Sequence, residues 1–564
     1  MWTLELVGFD VANFSECEAA ITQQTYGQGH STAEKKCKSF PKMIWPTNYF
    51  KLATATMFTL FWAGERFAPQ FMVDDNYSET SSGSKKVNIQ SFLQQHYIKA
   101  MAELLKSLNG LDNIVGIGTM NEPSAGYINV ADLSRGYGQY GVSSGPGSKE
   151  LKYGLSPTPF QGMCLGEGYK QTVGDWSNGI MQHILGKSDR LVSVDPKGKR
   201  AWKKSNNNPT GECIWKQAGV WQVNPNTSQP ELLQPNYFAN VYFGTECYLP
   251  FAKEYTNVMR STWKSKTQEL LMFVELPPLE FSSTPFPNIP PADMSNAINA
   301  THWYDGITLF TRTFKRHFSV NTSTHRPIIG YKNILNTHVK QLGEIKRLGD
   351  EKMQAPTLIG ETGIPYDMVE TTVMKLKRKL VGSNAIDFQD TSSLQLQAMN
   401  HTLCCLEKNM LAFTLWNYTS DNTSIEGDIW NGEDLSVYSD DHKCNLEKTD
   451  PYFIYDGLRA ARAFVRPYAQ CIAGEPVVNE FDLRSSTESV KSKYLLIYIQ
   501  NGGSEMSEVP TEVFVPKLWC LTKADINISV SDGRFEVEEQ DHWFTVKYWH
   551  YLTSMEHKLE IDHI

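Results

Sequence analysis

Apolar residues recur at intervals of three and four between Ile89 and Leu108 (Phe92, Leu93, Tyr97, Met101, Leu104 and Leu105 among them), which predicts a helix with one buried face. Asn109-Gly110 supplies its stop. Directly after it, Ile114-Val115-Gly116-Ile117-Gly118-Thr119 reads as a short buried strand that ends on Asn121-Glu122, and Pro123 forbids any further ladder hydrogen bond. The same motif, a buried run ending on a polar side chain, returns four times: Leu270 to Glu275, Ala297 to Asp305, Pro356 to Glu361 and Met410 to Asn417. Helical sequence from about Asn333 to Asp350 and from about Asp390 precedes the last two, and another helix is expected from Tyr49 to about Arg66. Residues 1–48 read as a long loop, and residues 124 to about 250 lack the rhythm, as a substrate-binding or lid excursion would. From about Arg466 the period changes to two. Strands are expected at 494–499, 511–515, 526–530, 534–537 and 543–548, with Ser531-Asp532-Gly533 as a hairpin turn.

The fold class expected from this pattern is α/β, with parallel strands in residues 1–465 and a separate antiparallel β module in residues 466–564. Composition changes the picture little. The 564 residues are 41% hydrophobic, and the net charge of -9 argues against a nucleic-acid partner. Fourteen Trp and twenty-five Tyr suit sugar rings, but they also suit cores, and core is the expected use for most of them. The ten cysteines form no C-x-x-C pair and no His-linked metal spacing, so mostly reduced thiols and an intracellular location, cytoplasmic or vacuolar, are expected. Met1-Trp2-Thr3-Leu4-Glu5 has no signal-peptide pattern. The apolar stretch from Leu52 to Gly64 is shorter than the roughly 20 residues that span a bilayer.

Glu122 and Glu361, at separate strand ends, are the pair that glycoside hydrolysis needs: one carboxyl protonated to assist the leaving oxygen, one ionised to attack the anomeric carbon. Asn121 can hydrogen-bond a sugar 2-hydroxyl, Tyr304 can hold the nucleophile, and Trp416 can lie under a sugar ring. Structural readings stand beside these. Glu122 could be a capping or salt-bridged residue, His302 a satisfied core histidine, and Trp416 packing; Trp303 reads as core. Glu275 also ends a strand and is read as structural or substrate-facing. The acidic cluster Glu426, Asp428, Glu433 and Asp434 is read as solvated or hydrogen-bonded to backbone rather than as a cation site.

Thr119-Met120-Asn121-Glu122-Pro123 resembles the acid/base segment of glycoside hydrolase family 5, and Ile359-Gly360-Glu361-Thr362-Gly363 resembles its nucleophile segment. His302-Trp303-Tyr304 and Leu415-Trp416-Asn417-Tyr418 are similar to the segments that end its sixth and eighth strands. Trp416 to Asn422 and Trp430 to Ser436 are similar to the fungal branch that hydrolyses steryl β-glucosides and glucosylceramide, which is related to endoglycoceramidases and carries a C-terminal β-sandwich. The resemblance implies a (β/α)8 TIM barrel, retaining hydrolysis with neither metal nor cofactor, Glu122 as acid/base, Glu361 as nucleophile, and Asn121, His302, Tyr304 and Trp416 as substrate-site residues. It also implies a glycolipid substrate, transient contact with a membrane surface to reach it, and no obligate protein partner. Apolar surface for the lipid is expected at Phe50 to Trp62 and Tyr237 to Tyr248.

One departure shapes the expectation. In the family, site residues also lie on strands before the Asn-Glu-Pro strand, and here Trp2-Thr3-Leu4-Glu5 follows Met1 directly. A barrel lacking about three N-terminal strands is therefore expected, and such a sheet has open edges. The alternatives are a catalytically impaired remnant that at most binds glycolipid, and an endo-acting enzyme of endoglycoceramidase type.

Overall fold

The computed structural model describes residues 6–10, 52–75, 85–111, 113–135, 155–175, 190–264, 269–277, 286–321, 326–368, 393–429, 433–483, 492–500, 502 and 506–562. Residues 1–5 and 11–48, the Ser143–Gly147 run, Cys17, Cys37 and Trp430-Asn431-Gly432 lie outside them. The chain divides into two compact units: Met1–His302 with Val320–Pro327 and Arg347–Thr357, and Trp303–Ser319 with Ile328–Lys346 and Leu358–Ile564.

In the first unit, helix α1 (Leu52–Phe67) and helix α2 (Ile89–Ser107) pack on one hydrophobic core. Asn88 caps α2 through its side chain, which accepts from the Gln90 N–H at 2.9 Å. Strand β1 (Gly116–Gly118) follows, then helix α3 (Leu249–Thr262), strand β2 (Leu271–Val274) and strand β3 (Ala297–Asn299). The three strands form a parallel sheet in the order β1-β2-β3, with Gly116 opposite Leu271 and Ala297 opposite Met272. Gly116 is required here, because a Cβ at this position would stand 2.5 Å from the Leu271 carbonyl oxygen. Helix α3 has no counterpart among the expected elements. Its buried stripe is Phe251, Ala252, Tyr255, Thr256 and Met259, aromatic and polar rather than aliphatic, so the periodicity is weak in the sequence.

One expectation is corrected in this unit. The described part of the stretch after residue 124 contributes Tyr127, Trp215, Trp221, Phe238 and Tyr248, fully buried, to the same core as α1 and α2. The segments expected to offer apolar surface are core for the same reason. Leu60, Trp62, Phe238, Phe243 and Tyr248 are all buried, and Tyr242 is the exposed exception.

In the second unit, helix α4 (Tyr331–Leu348, its last two residues assigned to the first unit) precedes strand β4 (Leu358–Thr362). Helix α5 (Leu394–Glu407), capped by Ser393, precedes strand β5 (Ala412–Leu415). Strands β4 and β5 are parallel, with Ile359 opposite Phe413. All five buried runs expected from the sequence are strands, each shorter than its apolar run.

The C-terminal part consists of β6 (Tyr468–Cys471), β7 (Glu475–Asp482), β8 (Lys493–Ile499), β9 (Thr511–Pro516), β10 (Asn527–Val530), β11 (Arg534–Glu539), β12 (Trp543–Trp549) and β13 (Glu556–Asp562). They form two four-stranded antiparallel sheets, β6-β9-β12-β11 and β7-β8-β13-β10. Alternate residues of both sheets enter one cluster: Tyr494, Leu496 and Tyr498 from β8, and Phe544, Val546 and Tyr548 from β12. The Ser531-Asp532-Gly533 turn is not a hairpin. β10 pairs with β13 and β11 pairs with β12, so the turn carries the chain from one sheet to the other. The Asp532 side chain anchors the turn there: it accepts from the Tyr551 N–H at 2.7 Å and meets His557 Nδ1 at 2.9 Å.

Arg466, at the entry to these strands, is buried and pairs with Glu407 of α5 at 2.8 Å, and the other Glu407 oxygen accepts the Phe481 N–H at 3.3 Å. Burial raises the Glu407 carboxyl above its usual range, and Arg466 opposes that rise. Arg466→Ala would strand Glu407, and a loss of about 3–5 kcal/mol in chemical denaturation is expected; a loss below about 1 kcal/mol would show that the pair does not hold the β strands to α5.

Candidate active site

The sheet β1-β2-β3 delivers three polar side chains beyond its carboxyl edge: Glu122, Glu275 and His302. Glu122 is 2% exposed and His302 2% exposed. Glu122 Oε1 lies 2.9 Å from His302 Nδ1, and Glu275 Oε2 lies 3.2 Å from His302 Nε2. Glu275 Oε2 also accepts the Glu122 N–H at 3.3 Å. Glu122 has φ 40°, in the left-handed region that costs a non-glycine residue of order 1–3 kcal/mol and persists where the surroundings over-determine it.

Those surroundings are layered. The Glu275 N–H donates to Thr119 Oγ1 at 3.2 Å, and Thr119 Oγ1 and Tyr248 Oη lie 2.8 Å apart. The Tyr97 and Tyr255 hydroxyls donate to the Thr119 and Gly118 carbonyls, each at 2.8 Å. Burial, with Glu275 nearby, pushes the Tyr97 phenol up to about 12, and burial raises Tyr248 and Tyr255 further still. These hydroxyls are neutral across the physiological range. Asn121, one residue before Glu122, is exposed.

The second unit holds the other glutamate. Glu361, near the end of β4, is half-buried, and the Tyr304 hydroxyl donates to its Oε2 at 3.0 Å. The Trp303 N–H donates to the Glu361 carbonyl at 3.1 Å. Trp303 itself is fully buried, with its indole N–H directed to Gln341 at 3.3 Å. Trp416, after β5, is half-buried, and its N–H donates to the Thr362 carbonyl at 2.8 Å. A Cβ on Gly363 would collide with the Trp416 carbonyl, so glycine lets these two segments approach.

The loop after Trp416 is fixed by its acidic residues. Asp428 accepts from the Leu435 N–H at 3.0 Å, from Asn422 at 2.8 Å and from Asn417 at 3.3 Å. Asp434 takes the Arg459 guanidinium bidentately at 3.0 and 2.6 Å. Burial raises the Asp428 carboxyl, and its hydrogen bonds partly offset that. Arg459 stacks over Tyr366, whose N–H donates to the Asp434 carbonyl at 2.6 Å. The segment after Glu361 is thereby tied to the loop after Trp416. The contacts of Arg459 and the three tyrosines had no sequence signal, because each is an isolated residue far along the chain from what it supports, and Asp434 reads in the sequence only as one of an acidic cluster.

A group of potential metal ligands, His338, His401 and Cys405, lies in the interior of the second unit. His401 and Cys405 share a face of α5 at a spacing of four, and His338 projects from α4. His338 Nδ1 and His401 Nε2 stand 2.8 Å apart, the separation of a hydrogen bond. Burial, with His338 beside it, lowers His401 to about 3, so the pair is neutral and serves as a packed polar contact. The eight described cysteines are all free thiols. Among the described residues, no helix is long and apolar enough to cross a membrane.

A family model described as the glycoside hydrolase family 5 C-terminal domain matches residues 466–561. An ergosteryl-beta-glucosidase of Saccharomyces cerevisiae is 29% identical, over 95% of this chain and 75% of the relative. A glucosylceramidase of Rhizopus delemar is 30% identical, over 96% of this chain and 72% of the relative. The crystal structure of Cryptococcus neoformans sterylglucosidase 1 with tris is similar with a TM-score of 0.78 at 28% identity, covering 100% of this chain and 78% of that one.

Thr119→Val keeps the shape of a fully buried side chain and removes the oxygen shared by Tyr248 and the Glu275 N–H. A stability loss of about 1–3 kcal/mol in thermal or chemical unfolding is expected; an unchanged midpoint would show that these groups find other partners.

Proposed function

The chain belongs to glycoside hydrolase family 5, alongside the fungal steryl β-glucosidases and glucosylceramidases, and from that premise we propose that it cleaves the β-glucosidic bond of a glycolipid by retaining double displacement. Glu122 is the acid/base and Glu361 the nucleophile. One observation carries the assignment: the single segment His302-Trp303-Tyr304 supplies a partner for each carboxyl, His302 for Glu122 and Tyr304 for Glu361. The parallel strands are read as part of a (β/α) barrel, whose chemistry lies at the carboxyl ends of its strands.

In the first step Glu361 attacks the anomeric carbon, the bond to the aglycone oxygen breaks, and Glu122 passes its proton to that oxygen. In the second, water donates a proton to Glu122 and attacks the anomeric carbon, which releases glucose and frees Glu361. This chemistry needs the two carboxyls about 5 Å apart. A phenol donated to Glu361 favours its ionised form, as a nucleophile requires. Exposed Asn121 is free of the core and suited to a sugar hydroxyl, and Trp416 offers a ring face. The aglycone is apolar, and the loop after Trp416 leaves Tyr418 66%, Ile425 41% and Ile429 52% exposed. These residues replace the buried α1 and Tyr237–Tyr248 segments as the surface that meets lipid.

Incubation with a 2-deoxy-2-fluoro-β-glucosyl fluoride is expected to add one covalent fluoroglucosyl group, seen by mass spectrometry, and Glu361→Gln is expected to abolish it. An adduct that persists in the variant would remove Glu361 from the role. For the aglycone, Tyr418→Ser combined with Ile425→Ser is expected to raise KM for a steryl glucoside or glucosylceramide several-fold while leaving a small aryl β-glucoside unchanged. Equal effects on both substrates would place the lipid elsewhere.

A further inference from the structure

The loop after Trp416 holds a backbone conformation that its sequence does not suit. Ile429 has φ 72°. The left-handed region brings Cβ against the following carbonyl oxygen, and a side chain branched at Cβ fits there worst. Twelve described non-glycine residues have positive φ, and Ile429 is the β-branched one among them. Gly427, two residues earlier, has φ 64° and is the residue type such a turn favours. Ile429 is also 52% exposed. An isoleucine here gives the fold neither an easy turn nor a filled core. Tyr418 and Ile425, exposed in the same loop, have no positive φ.

We infer that Ile429 is a specificity-determining residue, a fixed apolar contact for the lipid part of the substrate, held out to solvent by a clamp on Asp428. The inference rests on the reading of the chain as a glycolipid β-glucosidase, and it names the residue that selects for the lipid.

The clamp is made of hydrogen bonds to a buried carboxylate. Asp428 is 2% exposed. Its Oδ1 accepts from Asn422 Nδ2 at 2.8 Å and from the Ser436 N–H at 3.2 Å. Its Oδ2 accepts from the Leu435 N–H at 3.0 Å and from Asn417 Nδ2 at 3.3 Å. The Asp428 N–H donates to the Glu433 carbonyl at 2.8 Å. Side chain and backbone of residue 428 are both tied to residues 433–436, so the chain comes back on itself directly after Asp428. The left-handed φ falls on the next residue. Strain of this kind persists where its surroundings over-determine it, and it gathers at functional sites.

The clamp also fixes Ile429 relative to the sugar side of the site. Asn417, which donates to Asp428, follows Trp416 directly in the chain. Asn422 donates to Asp434 Oδ1 as well, at 3.0 Å, and Asp434 holds Arg459. A β-branched side chain has few rotamers, so it meets a ligand with little ordering left to do. A rigid apolar contact beside a ring face selects for a glucoside whose aglycone is apolar and long enough to reach it.

The test measures kcat and KM of the full chain for a steryl glucoside and for glucosylceramide in mixed micelles, and for a nitrophenyl β-glucoside, together with Tm. Ile429→Gly relieves the backbone and removes the side chain. Its Tm is expected to rise. Its kcat/KM for glycolipid relative to the aryl glucoside is expected to fall roughly tenfold, through KM rather than kcat. Ile429→Leu keeps an apolar side chain and is expected to retain most of the ratio. A lower Tm in Ile429→Gly would show that the side chain serves the fold, and an unchanged ratio would show that it does not meet the lipid; either overturns the inference. So does a ratio in Ile429→Leu as low as in Ile429→Gly. If the wild-type chain cleaves neither glycolipid, the glycolipid reading fails and the inference with it. If it cleaves one and Ile429→Gly keeps the ratio, the role of Ile429 alone fails.

Discussion

A carboxyl group that is 2% exposed must be answered by its surroundings, and the first unit is arranged around that requirement at Glu122. Taking an ionised carboxylate out of water costs several kcal/mol unless hydrogen bonds or a counter-charge offset it. The chain answers Glu122 with His302, and it answers His302 with Glu275. Thr119 then fixes Glu275 through its backbone, and Tyr248 fixes Thr119. Glu122, Glu275 and His302 each follow a different strand of one parallel sheet. A slip in register between β1 and β2 would separate Glu122 from Glu275, and the fit of Gly116 against the Leu271 carbonyl holds that register. The site therefore depends on strand pairing as much as on any functional side chain.

The second glutamate meets a different environment. Glu361 is half-buried and receives a phenol hydrogen bond, whereas Glu122 is buried and faces an imidazole. Support for Glu361 comes through the Asp434–Arg459–Tyr366 cluster rather than through its own strand alone.

Much of this was legible in the sequence because strand ends are local signals. The runs ending at Glu122, Glu275, His302, Glu361 and Trp416 each combine a short apolar stretch with a terminating polar residue, and all five are strands. What the sequence hid was non-local. Tyr97, Tyr248 and Tyr255 lie on or beside helices as ordinary aromatic residues, and only the fold turns their hydroxyls towards the carbonyls and hydroxyl at the end of β1. Glu275 was visible as a strand end, but its service to both His302 and the Glu122 backbone was not. The Asp532-Gly533 turn misled because its local chemistry fits a hairpin, while the pairing of β10 and β11 is decided by β13 and β12.

The aromatic residues show the same limit from the other side. An abundance of Trp and Tyr invites a sugar-binding interpretation, yet Trp62, Trp215, Trp221 and Trp303 are all essentially inaccessible. They meet neighbouring rings, several of them edge-on, as Trp62 does with Phe243 and Phe251, and Trp215 does with Phe238. Large rigid rings suit a core that irregular segments must fill, because each ring covers much area at little cost in side-chain entropy. In the described part of the stretch after residue 124 the strands and helices are all short, so aromatic packing replaces periodicity as its organising force. That places most of these rings in the core and leaves Trp416 half-buried beside the exposed apolar side chains of its loop.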